Sequence, residues 1–261
     1  LVVTKKAATK TGEPKPAARP KAAKQAAPEK PTAKVFIERL TAEASEAERV
    51  KYERYFPPAE RRRGDEFIGV RMGTVFELAK AFALMPPQEI EKLLESEVHE
   101  VRAGAVSIMA KQAQLKTVTD ARRQALYDLY LRRHDRINDW DLVDLGAWYV
   151  VGRWLVGRPH DVLYRLAKSK DPWERRTAIL ATFSFMRQGD YDDTFALAEL
   201  MLKDPHPLTQ KAVGWALRVA GEVPVRLHAF LDKHAATMPR AMLRNAIEKF
   251  SPEERAGYLK L

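Results

Sequence analysis

At 261 residues the chain is long enough for one large or two small domains, with a core that needs no covalent staples. It has no Cys, which excludes disulfide frameworks, thiolate metal sites, iron–sulfur clusters and cysteine nucleophiles. Its longest uncharged apolar stretch, Leu145 to Gly152, is far short of the roughly 20 residues a membrane span needs, so a soluble protein is expected; the net charge of +10 points toward polyanions only if the cations are suitably placed.

The charge is uneven. Residues 1 to 34 hold eight Lys and Arg19 against Glu13 and Glu29, a net of +7, which leaves +3 for the other 227 residues. The segment also holds five of the sixteen Pro and nine Ala, no aromatic residue, and no large apolar residue beyond Leu1, Val2 and Val3. It cannot offset its ordering entropy by burial, and a disordered basic tail is expected. It lacks a signal-peptide h-region, and the absence of Ser with an excess of Lys over Arg argues against an organelle presequence. Its role is either a sequence-independent counterion for nucleic acid or a solubilising linker.

From Val35 onward, apolar residues recur at three- and four-residue spacing without sustained alternation. This predicts an all-α domain over 35–261, built from about a dozen helices of roughly 10 to 18 residues. Ser45-x-x-Glu48, Thr74-x-x-Glu77 and Ser251-x-x-Glu254 have capping-box form, the last with Pro252 at the first helical position. Phe67 to Met72 reads as a brief extended piece.

Three later segments share one layout, an acidic or Asp-Pro turn, a basic residue, then a small and apolar helix: EVHEVRAGAV (97–106), DPWERRTAIL (171–180) and DPHPLTQKAVGW (204–215). Arg176 and Lys211 are 35 positions apart and Arg102 lies 74 before Arg176, so a further repeat is expected near 137–140, where NDWDLVDLGAW begins a helix. This spacing fits a solenoid of HEAT-type helix pairs with a concave face. In that register Trp140, Arg176 and Lys211 form one row, extended by Arg102, while Asp144, Leu180 and Trp215 form its neighbour.

Trp140 and Asp144 are four residues apart and share a helix face. Asp141, beside Asn138 and Asp139, stands where a helix N-terminus favours caps and acids, a structural assignment. Asp144 sits mid-helix, and between Leu142 and Val156 only Asp144 and Arg153 are charged. Periodicity leaves two readings for Asp144, a functional carboxylate or a structural one that is ion-paired or solvent-facing.

The strings INDWDLVDL (137–145), WERRTAIL (173–180), QKAVGWALR (210–218), VRAGAVSIMAK (101–111) and RNAIEKF (244–250) resemble the DNA alkylation repair protein family of HEAT-like-repeat alkylpurine DNA glycosylases. The resemblance runs from about residue 50 to the C-terminus and leaves the basic segment outside. It implies a monofunctional glycosylase that removes cationic N3- and N7-alkylated purines from duplex DNA without flipping the base and leaves an abasic site. By position it implies Asp144 as the catalytic carboxylate, Trp140 and Trp215 as the aromatic pair flanking the lesion's deoxyribose, and Arg176 as a backbone-contacting cation. For a Tyr of the family's first helical region the chain offers Tyr52 and Tyr55 ahead of Phe56-Pro57, neither at the family's spacing and both separated from Gly69 by the insert RRRGDE (61–66), so the resemblance carries over Tyr52 only weakly.

The DNA-backbone surface is expected to comprise Arg102, Arg153, Arg175, Arg176, Lys211, Arg218 and Arg244, which position DNA without reading sequence. The six His (His99, His134, His160, His206, His228 and His234) show no metal-ligand spacing, so no metal or other cofactor is expected, and no Gly-rich phosphate loop is present. Gly152-Arg153 and Gly157-Arg158 mark a helix irregularity and exit; Trp148 and Trp154 read as core, and Trp173 as undecided. A cytoplasmic, nucleoid-associated monomer is expected. The competing reading is a non-catalytic HEAT-like scaffold for DNA or protein.

Overall fold

A computed structural model describes residues 25–52, 54–56 and 64–261. Most of the expected tail, 1–24, and residues 57–63 of the expected turn and insert lie outside that range. The described residues are all-α, as the periodicity predicts, with a lone parallel bridge between Glu66 and Val98 and no named strand. None of their helices is long and apolar enough to cross a membrane.

The α-helices are α1 (Ala33–Thr41), α2 (Glu46–Tyr52), α3 (Met72–Ala81), α4 (Pro87–Leu94), α5 (His99–Gln114), α6 (Asp120–Arg132), α7 (Trp140–Gly146), α8 (Arg153–Leu155) and α9 (Asp161–Leu166). They continue as α10 (Pro172–Ala181), α11 (Phe183–Met186), α12 (Asp192–Leu200), α13 (Pro207–Val219), α14 (Pro224–His234), α15 (Arg240–Ala246) and α16 (Pro252–Lys260). They are more numerous and mostly shorter than the sequence suggests, because bends subdivide periodic stretches. One such division is a π-helical turn, Ala147–Gly152, between α7 and α8.

Start signals explain most boundaries. Thr32 caps α1 through Val35 N (3.4 Å), and Thr119 caps α6 through Arg122 N (3.2 Å). Asp171 accepts from Trp173 N (2.8 Å), with Pro172 in the first turn of α10, and Ser251 and Glu254 complete the expected capping box of α16. The Thr74-x-x-Glu77 box does not form. Thr74 lies inside α3, whose N-cap is Arg71 without a side-chain cap. Ser45 works instead through its backbone, accepting Glu48 N (3.1 Å) and Arg49 N (2.9 Å) and donating to Ile68 O (3.3 Å).

The helices α3, α5, α7, α10, α13 and α15 each pack on the next, and α1, α4 and α6 pack in sequence behind them. Their apolar faces share one core cluster that runs from Ala33 to Ile247. The crossing of α5, α6 and α7 is tight enough to require glycine. A Cβ on Gly146 would lie 2.5 Å from the Tyr130 ring and 2.6 Å from Val106, so only a bare backbone lets α7 approach. Structure is also described ahead of position 35: Ala33 opens α1, and Ala26 O accepts from Arg39 (2.7 Å).

The piece expected to be extended over Phe67 to Met72 is non-helical from Glu66 to Arg71, and Met72 instead opens α3. The start of the piece is held by Glu66 N donating to Glu97 O (3.0 Å) and His99 N donating to Glu66 O (2.8 Å). Beyond it, the buried Glu100 carboxylate accepts from Gly69 N (2.8 Å), Ile68 N and Val70 N (both 3.3 Å). Gly69 has a φ of +78° and lies against the Ser45 carbonyl, a conformation and an approach closed to a side chain.

Candidate active site

The site is built on the first two turns of α7. Asp139 caps the helix by accepting from Trp140 N (2.7 Å), and Asp141 accepts from Leu142 N (2.8 Å). The other Asp141 oxygen accepts a hydrogen bond from Nε2–H of His99 on α5, also at 2.8 Å. One turn on, Asp144 meets α10: Arg176 Nε donates to Oδ1 (2.8 Å) and Nη2 to Oδ2 (2.9 Å), while Nη1 donates to Leu208 O at the start of α13. The Arg176 side chain is 6% exposed and that of Asp144 23%, so the fork is sealed behind the carboxylate, which keeps one edge open.

Burial pushes the Asp144 carboxyl above the usual carboxylate range; Arg176 opposes this and Asp141 adds to it. Burial together with the Asp141 charge likewise lifts Asp139, to about 6.

The open edge of Asp144 faces a cleft of about 830 Å³ between α2, α3 and α7. Trp140, Tyr52, Phe56 and Phe76 supply its aromatic lining, with Asp141, Met72 and Leu145. Trp140 stacks on Phe56 (centroids 5.7 Å, planes 14° apart), and Tyr52 lies 6.1 Å from Phe56 and 5.5 Å from Phe67. The Tyr52 hydroxyl donates to Val70 O (2.5 Å), in the turn that Glu100 holds. Burial, with the nearby Glu100, Asp141 and Glu48 carboxylates, pushes its phenol far up, so it stays a donor. A carboxylate fixed by an arginine fork beside a tryptophan face is equipped to stabilise positive charge in a substrate.

A sequence model of the family described as "DNA alkylation repair enzyme" matches residues 36–250. The chain belongs to that family. No curated protein matches it.

For a DNA alkylation repair enzyme, the expected cations divide into three groups. Arg102 is 0% exposed, and its guanidinium donates to Asp65 (2.8 Å), Ser96 O (2.9 Å) and Glu97 O (3.0 Å). Arg175 forks onto Asp204 (2.6 and 3.0 Å) and also donates to Ser169 O and Lys170 O. Arg176 is buried on Asp144. These three are therefore corrected from phosphate contacts to internal ties. Arg218 pairs with Glu248 and is partly covered. Arg153, Lys211 and Arg244 are exposed and have no ion-pair partner among the described residues.

Trp215 is half-buried, edge-on to Phe183 at 4.9 Å, and lines a second cleft of about 570 Å³ with Arg218, Lys249 and Phe250 rather than the cleft of Trp140 and Asp144. Trp148 reaches the same Phe183 (5.6 Å) and stacks on Tyr149. Trp154 lies under the Arg158 guanidinium (3.8 Å), and Trp173 meets His206 edge-on (5.2 Å). Leu180 is core.

Sequence reasoning missed His99, Phe67 and the rim residues Arg54 and Arg71, and weighed Tyr55 only beside Tyr52. Tyr55 is 63% exposed and Arg54 and Arg71 are exposed at the mouth of the main cleft. An aromatic beside Arg just ahead of a Pro turn was the available signal for Tyr55; His99 had none. Among the described residues no three His, Asp or Glu side chains gather as a metal site.

Proposed function

We propose that this DNA alkylation repair enzyme is a monofunctional DNA glycosylase that hydrolyses the N-glycosidic bond of cationic N3- and N7-alkylated purines and leaves an abasic site. The observation that carries the reading is Asp144: a carboxylate with one edge open, set by the Arg176 fork four residues from Trp140. The stacking order of α3, α5, α7, α10, α13 and α15 supports a HEAT-like solenoid over 35–261 whose concave face receives duplex DNA.

An N-alkylated purine carries positive charge before it leaves. Its C1′–N bond breaks with the electron pair going to the ring nitrogen, and no general acid is needed. Positive charge then develops on the sugar, where the Asp144 carboxylate and the Trp140 face stabilise it. A water oxygen adds to C1′ and gives its proton to Asp144. The lesion is approached from the sugar-phosphate side without base flipping, and Trp140 is the aromatic residue that meets the sugar beside Asp144.

Arg153, Lys211 and Arg244 hold phosphates as point charges, and the basic segment 1–34 adds sequence-independent attraction. The protein acts as a monomer. Asp144→Asn is expected to abolish release of 7-methylguanine and 3-methyladenine from alkylated duplex DNA while DNA affinity is retained, because Asn still accepts from Arg176. Release at the unmutated rate, or none from the unmutated protein, leaves the non-catalytic scaffold as the better reading.

A further inference from the structure

His99 opens α5 and is 0% exposed. Its Nε2–H donates to Asp141 Oδ2 at 2.8 Å, and its ring stacks on Phe67 (4.8 Å) and tilts against Phe56 (4.9 Å). Phe56 in turn stacks on Trp140. One buried imidazole therefore touches the first turn of α7 directly and the aromatic wall of the cleft through a single ring. Its Nδ1 has no partner, so the bond to Asp141 is the ring's one polar contact.

The electrostatics of α7 give this contact a consequence. Asp139, Asp141 and Asp144 fall within six residues, and Asp141 and Asp144, three apart, share a helix face and both line the cleft. The charged groups acting on His99 are Asp141 and Asp139 from α7 and Arg102 from its own helix. Those acting on Asp144 are Arg176 from α10 and Asp141 from its own helix, with the neutral Tyr130 phenol of α6 near it. Across the cleft that both carboxylates line stand Glu48, Lys51 and Tyr52 of α2, Arg54 and Tyr55 just after it, and Arg71 ahead of α3. Burial by itself favours a neutral imidazole, but the Asp141 charge and hydrogen bond outweigh it and hold the ring above its ordinary value.

We propose that His99 is a positioning residue for the Asp144 carboxylate: as an imidazolium it neutralises Asp141, keeps Asp144 ionised one turn further along the helix, and fixes Trp140 through Phe56. The catalytic consequence rests on the glycosylase reading; the electrostatic coupling does not. An uncharged residue at 99 leaves Asp141 as a bare anion beside Asp144, and two like charges at that spacing resist joint ionisation.

The test is a titration of the full chain with nitrogen-15-labelled His and carbon-13-labelled Asp, read by NMR for the unmutated protein, His99→Gln, Asp141→Asn and the double variant. His99 should be an imidazolium at pH 7. Replacing it by Gln should raise the Asp144 midpoint by on the order of one pH unit, and adding Asp141→Asn should bring that midpoint back. A purely structural role for His99 gives no such rescue. The acid limb of single-turnover base release should move in parallel while DNA affinity holds.

A His99 that is neutral at pH 7 overturns the proposal, as does an Asp144 midpoint that ignores His99→Gln or a double variant as shifted as the single. If His99→Gln does not fold, Asp141→Asn decides the matter alone: His99 should then titrate below the ordinary imidazole range, and an unchanged His99 titration refutes the coupling. Titrations that behave as stated in a protein that releases no base sink the glycosylase reading and leave the coupling standing.

Discussion

Arg176 grips Asp144 with two near-parallel hydrogen bonds of 2.8 and 2.9 Å, and its remaining terminal nitrogen reaches Leu208 O, so one guanidinium ties α7, α10 and α13 together behind the carboxylate. The fork fixes the plane of Asp144 and occupies the lone pairs that face the interior, which leaves the cleft-facing edge for a substrate. Arg176 is on this geometry the residue that aims Asp144.

Arg176→Lys should therefore slow base release by about 10²-fold at saturating DNA, since a single ammonium keeps the charge but loses the fork, and a misplacement of about 1 Å is worth that much. The melting temperature should also fall, because the Leu208 carbonyl or one Asp144 oxygen loses a buried donor, so rates are compared at matched fractions folded. Single-turnover kinetics beside a thermal melt check this; a rate within a factor of about two of the unmutated protein means the orientation of Asp144 is set elsewhere.

Asp139 carries a pH signature of its own. Its carboxyl is lifted to about 6 in the folded protein, above its value in an unfolded chain. A raised acid contributes stability that is fully present below the unfolded pKa and is lost as pH rises through the folded one, so Asp139 weakens the fold above about pH 6. Asn caps a helix about as well. Asp139→Asn is expected to gain on the order of 1 kcal/mol at pH 7.5, after discounting for partial solvent access, and nothing near pH 3.5. Denaturant titrations at both pH values measure it, and a gain that persists at low pH refutes the assignment.

The all-α class, the Asp-Pro start of α10 and the shared face of Trp140 and Asp144 were all legible, because each rests on spacing within one helix. Arg102, Arg175 and Arg176 were not, although all three sit in the same repeat layout. What removes them from the surface is an acid supplied from far along the chain: Asp65 for Arg102, Asp204 for Arg175, Asp144 for Arg176. Periodicity marks a face and says nothing of a partner some 30 residues away. His99 was invisible for the same reason, since its meaning lies wholly in Asp141, 42 positions on.

That division of the cations is measurable. Lys211→Ala, at an exposed cation with no ion-pair partner among the described residues, should weaken DNA binding and lower the slope of log affinity against log salt by about one, without changing stability. Arg102→Met should do the reverse, leaving the salt slope intact while the fold loses about 3 kcal/mol, because Asp65 and two carbonyls lose a buried partner. Equal salt slopes for Lys211→Ala and the unmutated protein would remove Lys211 from the DNA interface.

Tyr52 depends on a residue that never enters the cleft. Its hydroxyl donates to Val70 O, and the 68–70 turn exists in that shape because Glu100 accepts from three successive backbone amides while Gly69 takes a φ of +78°. Tyr52→Phe removes one hydrogen bond and should cost about 1 kcal/mol, with base release little changed if the ring face is what the substrate meets. Glu100→Ala leaves three buried N–H groups without an acceptor and should cost at least about 3 kcal/mol. Because Val70 and Tyr52 move with that turn, base release should fall even well below the melting temperature. Comparing the two variants at matched fractions folded separates position from chemistry: a Glu100→Ala protein that is destabilised yet releases base at the unmutated rate per folded molecule would show that the 68–70 turn does not set the reacting geometry.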